Sequence, residues 1–205
     1  MPKKEFTSFD VAAVVQELKD AIAGSRVSNV YQTDAKTIVL KLHKPDKPNL
    51  QLILEAGRRL HQTSYFLEKP TVPPAFCMAL RKYLRGSFLE NVEQYEFERV
   101  VIFHFKTKLE VMRLVLELFG EGNIVLVNEN NVILQALSYK RMRDRNILRN
   151  ETFSFAPPIG RNPLTMTEKE FQQSLQNFPD MEIVRALARY FSLGGIYAEE
   201  ALLSA

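Results

Sequence analysis

The sequence predicts an α+β fold: a β-rich, sandwich-like domain with a leading helix and a helix at about 73–85, then a truncated helical domain. Three observations carry this. Eight short segments rich in β-branched and aromatic residues lie between residues 37 and 139, separated by turn residues. Two stretches of helical period, near 7–23 and 73–85, break into that series. Beyond residue 164 the pattern turns helical and stays so.

The elements follow in order. Thr7 and Asp10 have capping-box spacing, and Val11, Val14, Val15, Leu18 and Ile22 recur at helical intervals up to Gly24. Residues 37–42 and 50–55 flank a turn containing Pro45, Asp46, Pro48 and Asn49, and residues 59–66 read as a third strand. Pro70 to Pro74 break the sheet. Pro73-Pro74 then open a helix with Phe76, Cys77, Leu80 and Leu84 on one face, closed by Gly86. Residues 88–95 and 99–106 form a hairpin, and 113–119 and 123–128 join through Gly120-Glu121-Gly122. Residues 132–139 follow Asn130-Asn131. The run Arg99 to Lys106 is almost continuously β-branched and aromatic, as in a central strand. A basic loop occupies 140–149. Thr167 and Glu170 cap a helix, residues 181–191 form another with Ile183, Val184, Leu187 and Tyr190 on one face, and residues 199–203 begin a last one. The domains expected are 1–163 and 164–205, the second cut short.

Bulk properties exclude several classes. A chain of 205 residues, 46% apolar and 25% charged, has ordinary globular composition. The net charge is +3, but residues 164–205 hold three cations and six acids, so 1–163 carries an excess of six positive charges. An anionic partner for that part and a merely solubilising surface are both compatible with this. The single cysteine, Cys77, excludes an internal disulfide framework and points to a reducing, cytoplasmic compartment. No segment approaches the roughly 18 apolar residues of a membrane span, and the first residues lack an apolar signal core. No membrane partner is expected.

Enzyme motifs are missing. His43, His61 and His104 have no metal-ligand spacing; His104, in a strand, reads as packed or paired. There is no nucleophile elbow and no phosphate loop, and Gly120-Glu121-Gly122 reads as a turn. Cys77 reads as a small core residue. No cofactor and no catalytic residue are expected. The loop holding Lys140, Arg141, Arg143, Arg145 and Arg149 has one acid, Asp144. It reads equally as a solvated loop or as a contact for RNA backbone. Arg58, Arg59, Arg81, Lys82 and Arg85 would extend the same field. Tyr83 and Tyr139 lie among these charges, where base stacking competes with core packing.

Several blocks in order resemble one family. The stretches PPAFCMALRKYLRGSFLENVEQYEFERVVIF, RLVLELFGEGNIVLVNENNVIL and RMRDRNILRNETFSFAPP are similar to the NFACT N-terminal domain. ALARYFSLGGIYAEEALL resembles the start of that family's helix-hairpin-helix domain. The family includes NEMF, RqcH and proteins first called fibronectin-binding protein A. The resemblance implies a non-enzymatic ribosome quality-control role. Such a protein binds large ribosomal subunits obstructed by peptidyl-tRNA, recruits aminoacyl-tRNA (commonly alanyl-tRNA), and supports template-free C-terminal tailing. The ribosome itself performs peptidyl transfer. The family's tRNA-handling residues fall on Asp10 and on the pair Glu98-Arg99, where Glu stands in place of the family's Asp. Glu is one methylene longer, so a tight contact there shifts by about a bond length. Lys140, Arg141, Arg143 and Arg145 would add RNA-backbone attraction.

The family's fold also resembles the N-terminal domain of formamidopyrimidine-DNA glycosylases. Those enzymes use an N-terminal proline followed by a glutamate; here Pro2 is followed by Lys3, so the acid needed for base excision is missing. A generic RNA-binding module is the other alternative. An extracellular adhesin, the reading that the fibronectin-binding name invites, conflicts with the lack of a signal core.

Overall fold

The computed structural model describes residues 6–65, 67–158, 160–176 and 181–204. The expectations placed on Pro2, Lys3 and Phe66 lie outside these residues. Helix α1 spans Ser8–Ile22. Its capping box forms: Asp10 Oδ2 accepts from the Thr7 N–H at 2.6 Å, and the Asp10 N–H donates to Thr7 Oγ1 at 3.3 Å. Val11, Val15, Leu18 and Ile22 fill the buried face. Gly24, at φ 75°, turns the chain, and its N–H donates to the Leu89 carbonyl.

Strand β1 (Ser25–Gln32) follows at once, and the sequence pattern does not predict it. A register shift between Val27 and Asn29 puts Val27 and Val30 on the same buried face, three residues apart. That spacing hides the two-residue period of a strand. Strands β2 (Thr37–His43), β3 (Leu50–Glu55) and β4 (Arg59–Thr63) continue antiparallel. Helix α2 (Ala75–Leu84) buries Cys77, Leu80 and Leu84, as its spacing predicts. Then come β5 (Phe88–Gln94), β6 (Val100–Lys106), β7 (Val111–Glu117), β8 (Asn123–Asn128) and β9 (Ile133–Ala136). The last is shorter than expected: the pairing of β9 with β8 shifts register, and Val132 joins Thr152 in an isolated bridge.

The nine strands make one antiparallel sheet in the order β4-β3-β2-β1-β5-β6-β7-β8-β9. Its middle joint is narrow, since β1 meets β5 only at Ser25–Leu89 and Arg26–Phe88. The two halves close on each other across that joint. The Gly57 N–H, in the β3–β4 turn, donates to the Glu117 carbonyl on β7 at 2.9 Å. One core takes Ile38, Leu40, Leu52 and Leu54 from one half and Val101, Phe103, Phe105 and Leu114 from the other. Helices α1 and α2 add Val11, Val15, Leu18, Ile22, Leu80 and Leu84 to it. The sandwich-like architecture therefore arises from a single folded sheet.

A second cluster lies on the other face of β6–β9. Val100, Val115, Val125 and Val127 are covered there by Ile147 and Phe153. The expected basic loop is a small hairpin, β10 (Lys140–Arg141) with β11 (Asn146–Ile147). Helices α3 (Glu168–Gln176), α4 (Ile183–Tyr190) and α5 (Gly195–Leu203) complete the described chain. Thr167 and Glu170 form the predicted box. Helix α4 buries Ala186 and Leu187 while Ile183 is exposed, so its inner face is rotated from the expected one. Helix α5 starts at Gly195, four residues before its predicted start. Leu187, Phe191 and Ala198 form a small core, and Tyr197 reaches Phe9 of α1 at 4.9 Å between ring centroids.

Candidate nucleic-acid interface

The β5–β6 turn is built to hold two charged residues against α1. The Tyr95 N–H donates to the Val100 carbonyl at 3.0 Å, and the Glu98 N–H to the Tyr95 carbonyl at 2.9 Å. Glu96 takes the left-handed conformation, φ 49°, that the tight turn requires. Phe97 is buried and meets Phe9 edge-on at 4.9 Å. Gln94 completes the join. Its side-chain amide donates to the Ser8 carbonyl and to the Glu98 carbonyl, both at 2.9 Å. One side chain thus ties the first turn of α1, which carries Asp10, to Glu98. The Arg99 carbonyl in turn accepts from the Leu118 N–H at 2.8 Å. Glu98 and Arg99 precede β6, whose first residue is Val100, and are not part of that strand as the sequence suggested.

Both residues are half-buried and line two neighbouring clefts. One, about 330 Å³, lies between Phe6, Thr7 and Ser8 and the α4–α5 turn at Ser192, Leu193 and Gly194. The other, about 130 Å³, is walled by Tyr95, Phe119 and Phe155. Tyr95 and Phe155 stack at 3.8 Å, 9° from parallel. A guanidinium can bond phosphate or a base edge in a fixed fork, a carboxylate accepts from an exocyclic amine, and the aromatic wall offers a stacking surface. A larger cleft, about 510 Å³, lies elsewhere, beside Ala21, Lys44 and Asn49.

Asp10, in the first turn of α1, takes part in the capping box, where Oδ2 also accepts from the Thr7 hydroxyl at 2.7 Å. Not every predicted residue belongs to this place. Lys140 is half-buried, and Arg141 and Arg143 are exposed at the β10–β11 hairpin. Arg145 is a correction. Its side chain is 4% exposed, and Nη1 lies 2.7 Å from Glu117 Oε1, whose side chain is 7% exposed. A buried guanidinium paired in this way is withdrawn from RNA. Arg58 and Arg59 both pair with Glu55, which offsets part of their charge. Tyr83 packs against the main core, whereas Tyr139 is exposed and donates to Gln135. His104 Nε2 lies 2.8 Å from Glu93 Oε1, the paired state its strand position suggested. Cys77 is buried with Sγ 3.4 Å from the Val30 carbonyl, and burial pushes its thiol pKa up. No group of three His, Cys, Asp or Glu side chains able to hold a metal occurs among the described residues. No described helix is long and apolar enough to cross a membrane.

Sequence reasoning missed Gln94, Phe97 and the Tyr95–Phe155 stack. The only local signal was an amide and two aromatics beside a charged pair, a pattern common in hairpin turns.

Comparisons with known proteins agree on one family. A family model described as NFACT N-terminal and middle domains matches residues 7–205. The chain is 38% identical over 207 residues to the archaeal Rqc2 homolog aRqcH of Methanocaldococcus jannaschii, covering 97% of this chain and 31% of that protein. It is 38% identical over 138 residues to the human ribosome quality control complex subunit NEMF, covering 67% of this chain and 13% of that one. The crystal structure of the N-terminal domain of fibronectin-binding protein PavA from Streptococcus pneumoniae superposes with a TM-score of 0.82 at 27% identity, covering 97% of this chain and 84% of that one. The chain thus spans about a third or less of the length of these two relatives. With sequence blocks, fold and family model in agreement, the chain belongs to the NFACT family, as its N-terminal and middle domains.

Proposed function

We propose that this chain is the tRNA-facing part of a ribosome quality-control factor. It binds tRNA on large ribosomal subunits obstructed by peptidyl-tRNA and supports template-free C-terminal tailing of the stalled chain, in the cytoplasm. It contributes no catalytic group of its own, since the ribosome performs peptidyl transfer. The names of the relatives, an Rqc2 homolog and a ribosome quality control complex subunit, support the ribosomal setting. The observation that carries the reading is the clamp at Gln94, which fixes Glu98-Arg99 beside α1 where two clefts meet. A turn whose backbone is already pinned loses less freedom on binding than a mobile one, so contact there is more selective than surface charge alone. Asp10, Glu98 and Arg99 form part of the tRNA-contact face. Lys140, Arg141 and Arg143 add non-specific attraction to RNA.

Co-sedimentation tests this. The chain is expected to pellet with large subunits carrying peptidyl-tRNA and much less with empty subunits, and Arg99→Ala is expected to reduce the difference about tenfold or more. Equal recovery on both kinds of subunit, or none on either, would overturn the proposal.

A further inference from the structure

A second basic face lies away from the Glu98-Arg99 clefts. From Lys69 to Leu89 the chain has four cations and no acid, and β1 adds Arg26, again with no acid. The fold brings these together. Arg26 Nε donates to the Gly86 carbonyl at 3.3 Å, which sets it at the end of α2. Arg81 Nε donates to the Val30 carbonyl at 2.7 Å, and its guanidinium lies 5.4 Å from the centre of the Tyr31 ring. Lys69 Nζ sits 4.0 Å over the same ring. Met78 and Lys82 on α2, with Arg85 just past its end, form an exposed stripe. Phe88, 51% exposed, is in register beside Arg26. Of the flanking acids, Glu90 is paired with Lys106. Among the described residues no carboxylate pairs with Arg26, Arg81, Lys82 or Arg85, whereas Lys36, Arg58 and Arg59 each have one.

This face lies at the far end of β5 from the proposed tRNA contact. Phe88 begins β5 and Gln94 ends it, so six residue steps, about 20 Å, separate them. One nucleotide cannot touch both places. We infer that the α2–β1 face binds the sugar–phosphate backbone of a structured RNA at a place separate from the tRNA contact at Arg99. Arg81 is already fixed by a backbone carbonyl and an aromatic ring, so its fork is ordered before binding. Unpaired cations along a rigid helix suit a stiff polyanion, and Met78 and Phe88 suit the apolar edge of ribose or base. An acidic protein would place carboxylates against Met78 and Phe88 with no donors to meet them. The inference rests on the reading of the chain as a ribosome-associated factor for the identity of the RNA, but not for the chemistry of the face.

The test is a salt-series titration with two probes, tRNA and a short, fully paired RNA hairpin without tRNA features. It uses the unaltered chain, K82Q/R85Q and Arg99→Ala. Lys82 and Arg85 make no side-chain hydrogen bond among the described residues, so the double variant keeps the fold. K82Q/R85Q is expected to weaken hairpin binding about tenfold and to lower its log–log salt slope by about two. Arg99→Ala is expected to leave hairpin binding unchanged, so failure of the tRNA reading would leave this result standing. An unchanged salt slope in K82Q/R85Q would overturn the inference. So would anionic vesicles or polyglutamate displacing the hairpin as well as RNA does.

Discussion

Arg145→Met is expected to destabilise the fold by about 3–5 kcal/mol, because it strands a buried carboxylate. Arg145 and Glu117 have side chains 4% and 7% exposed and meet at 2.7 Å. Arg145 Nη1 also donates to the Ser154 carbonyl at 3.1 Å, while its Nε finds no partner among the described residues. Once the guanidinium is gone, Glu117, 7% exposed, is left without its cation in a site largely closed to solvent. The effect reaches the candidate site, since Ser154 lies between Phe153, which covers the second cluster, and Phe155, which walls the smaller cleft. The double variant Arg145→Met/Glu117→Leu is expected to recover most of the loss, because it leaves no charge unpaired. Urea unfolding of the two variants measures this. A single-variant loss below about 1 kcal/mol would mean that the pair behaves as a solvated one.

Gly122→Ala is expected to cost about 2–5 kcal/mol. Gly122 has φ +67°, and a Cβ there would lie 1.9 Å from the Gly57 nitrogen and 2.3 Å from the Ala56 carbonyl carbon. The left-handed conformation alone costs a residue with a Cβ about 1–2 kcal/mol, and forced overpacking about 1–3 more. Gly120→Ala separates the two contributions. Gly120 has φ +55° with nothing within 4 Å of its Cβ position, so only the conformational cost of about 1–2 kcal/mol is expected. Equal midpoints in denaturant for the two variants would contradict the closure of the sheet halves at this seam.

Much of the fold is legible from local signals. Capping residues mark the starts of α1 and α3, Gly24 and Gly86 mark ends, and the apolar period of α2 names its buried Cys77, Leu80 and Leu84, with Phe76 only partly buried. What stays hidden depends on tertiary pairing. Strand β1 has a bulge that disguises its period, and the closure of one sheet into two layers follows from a joint only two pairs wide. The same holds at the site. Glu98-Arg99 is found through resemblance, but the reason it is held in place is the Gln94 amide bridging residues far apart in sequence. The misreading of Arg145 has a related cause. Within KRMRDRNILR it is one arginine among several, and only its tertiary partner Glu117, twenty-eight residues earlier, draws it inward.

The central claim is that Arg99 contacts tRNA, and a filter-binding titration over a salt series tests it most directly. The ligands are alanyl-tRNA, other tRNAs and duplex DNA, with Arg99→Ala measured beside the unaltered chain. The account predicts tighter binding of tRNA than of DNA, and a loss of about 1–3 kcal/mol for tRNA in Arg99→Ala. If all three ligands bind alike with a steep salt dependence and Arg99→Ala changes nothing, the basic surface is a generic RNA anchor and the assigned site is wrong.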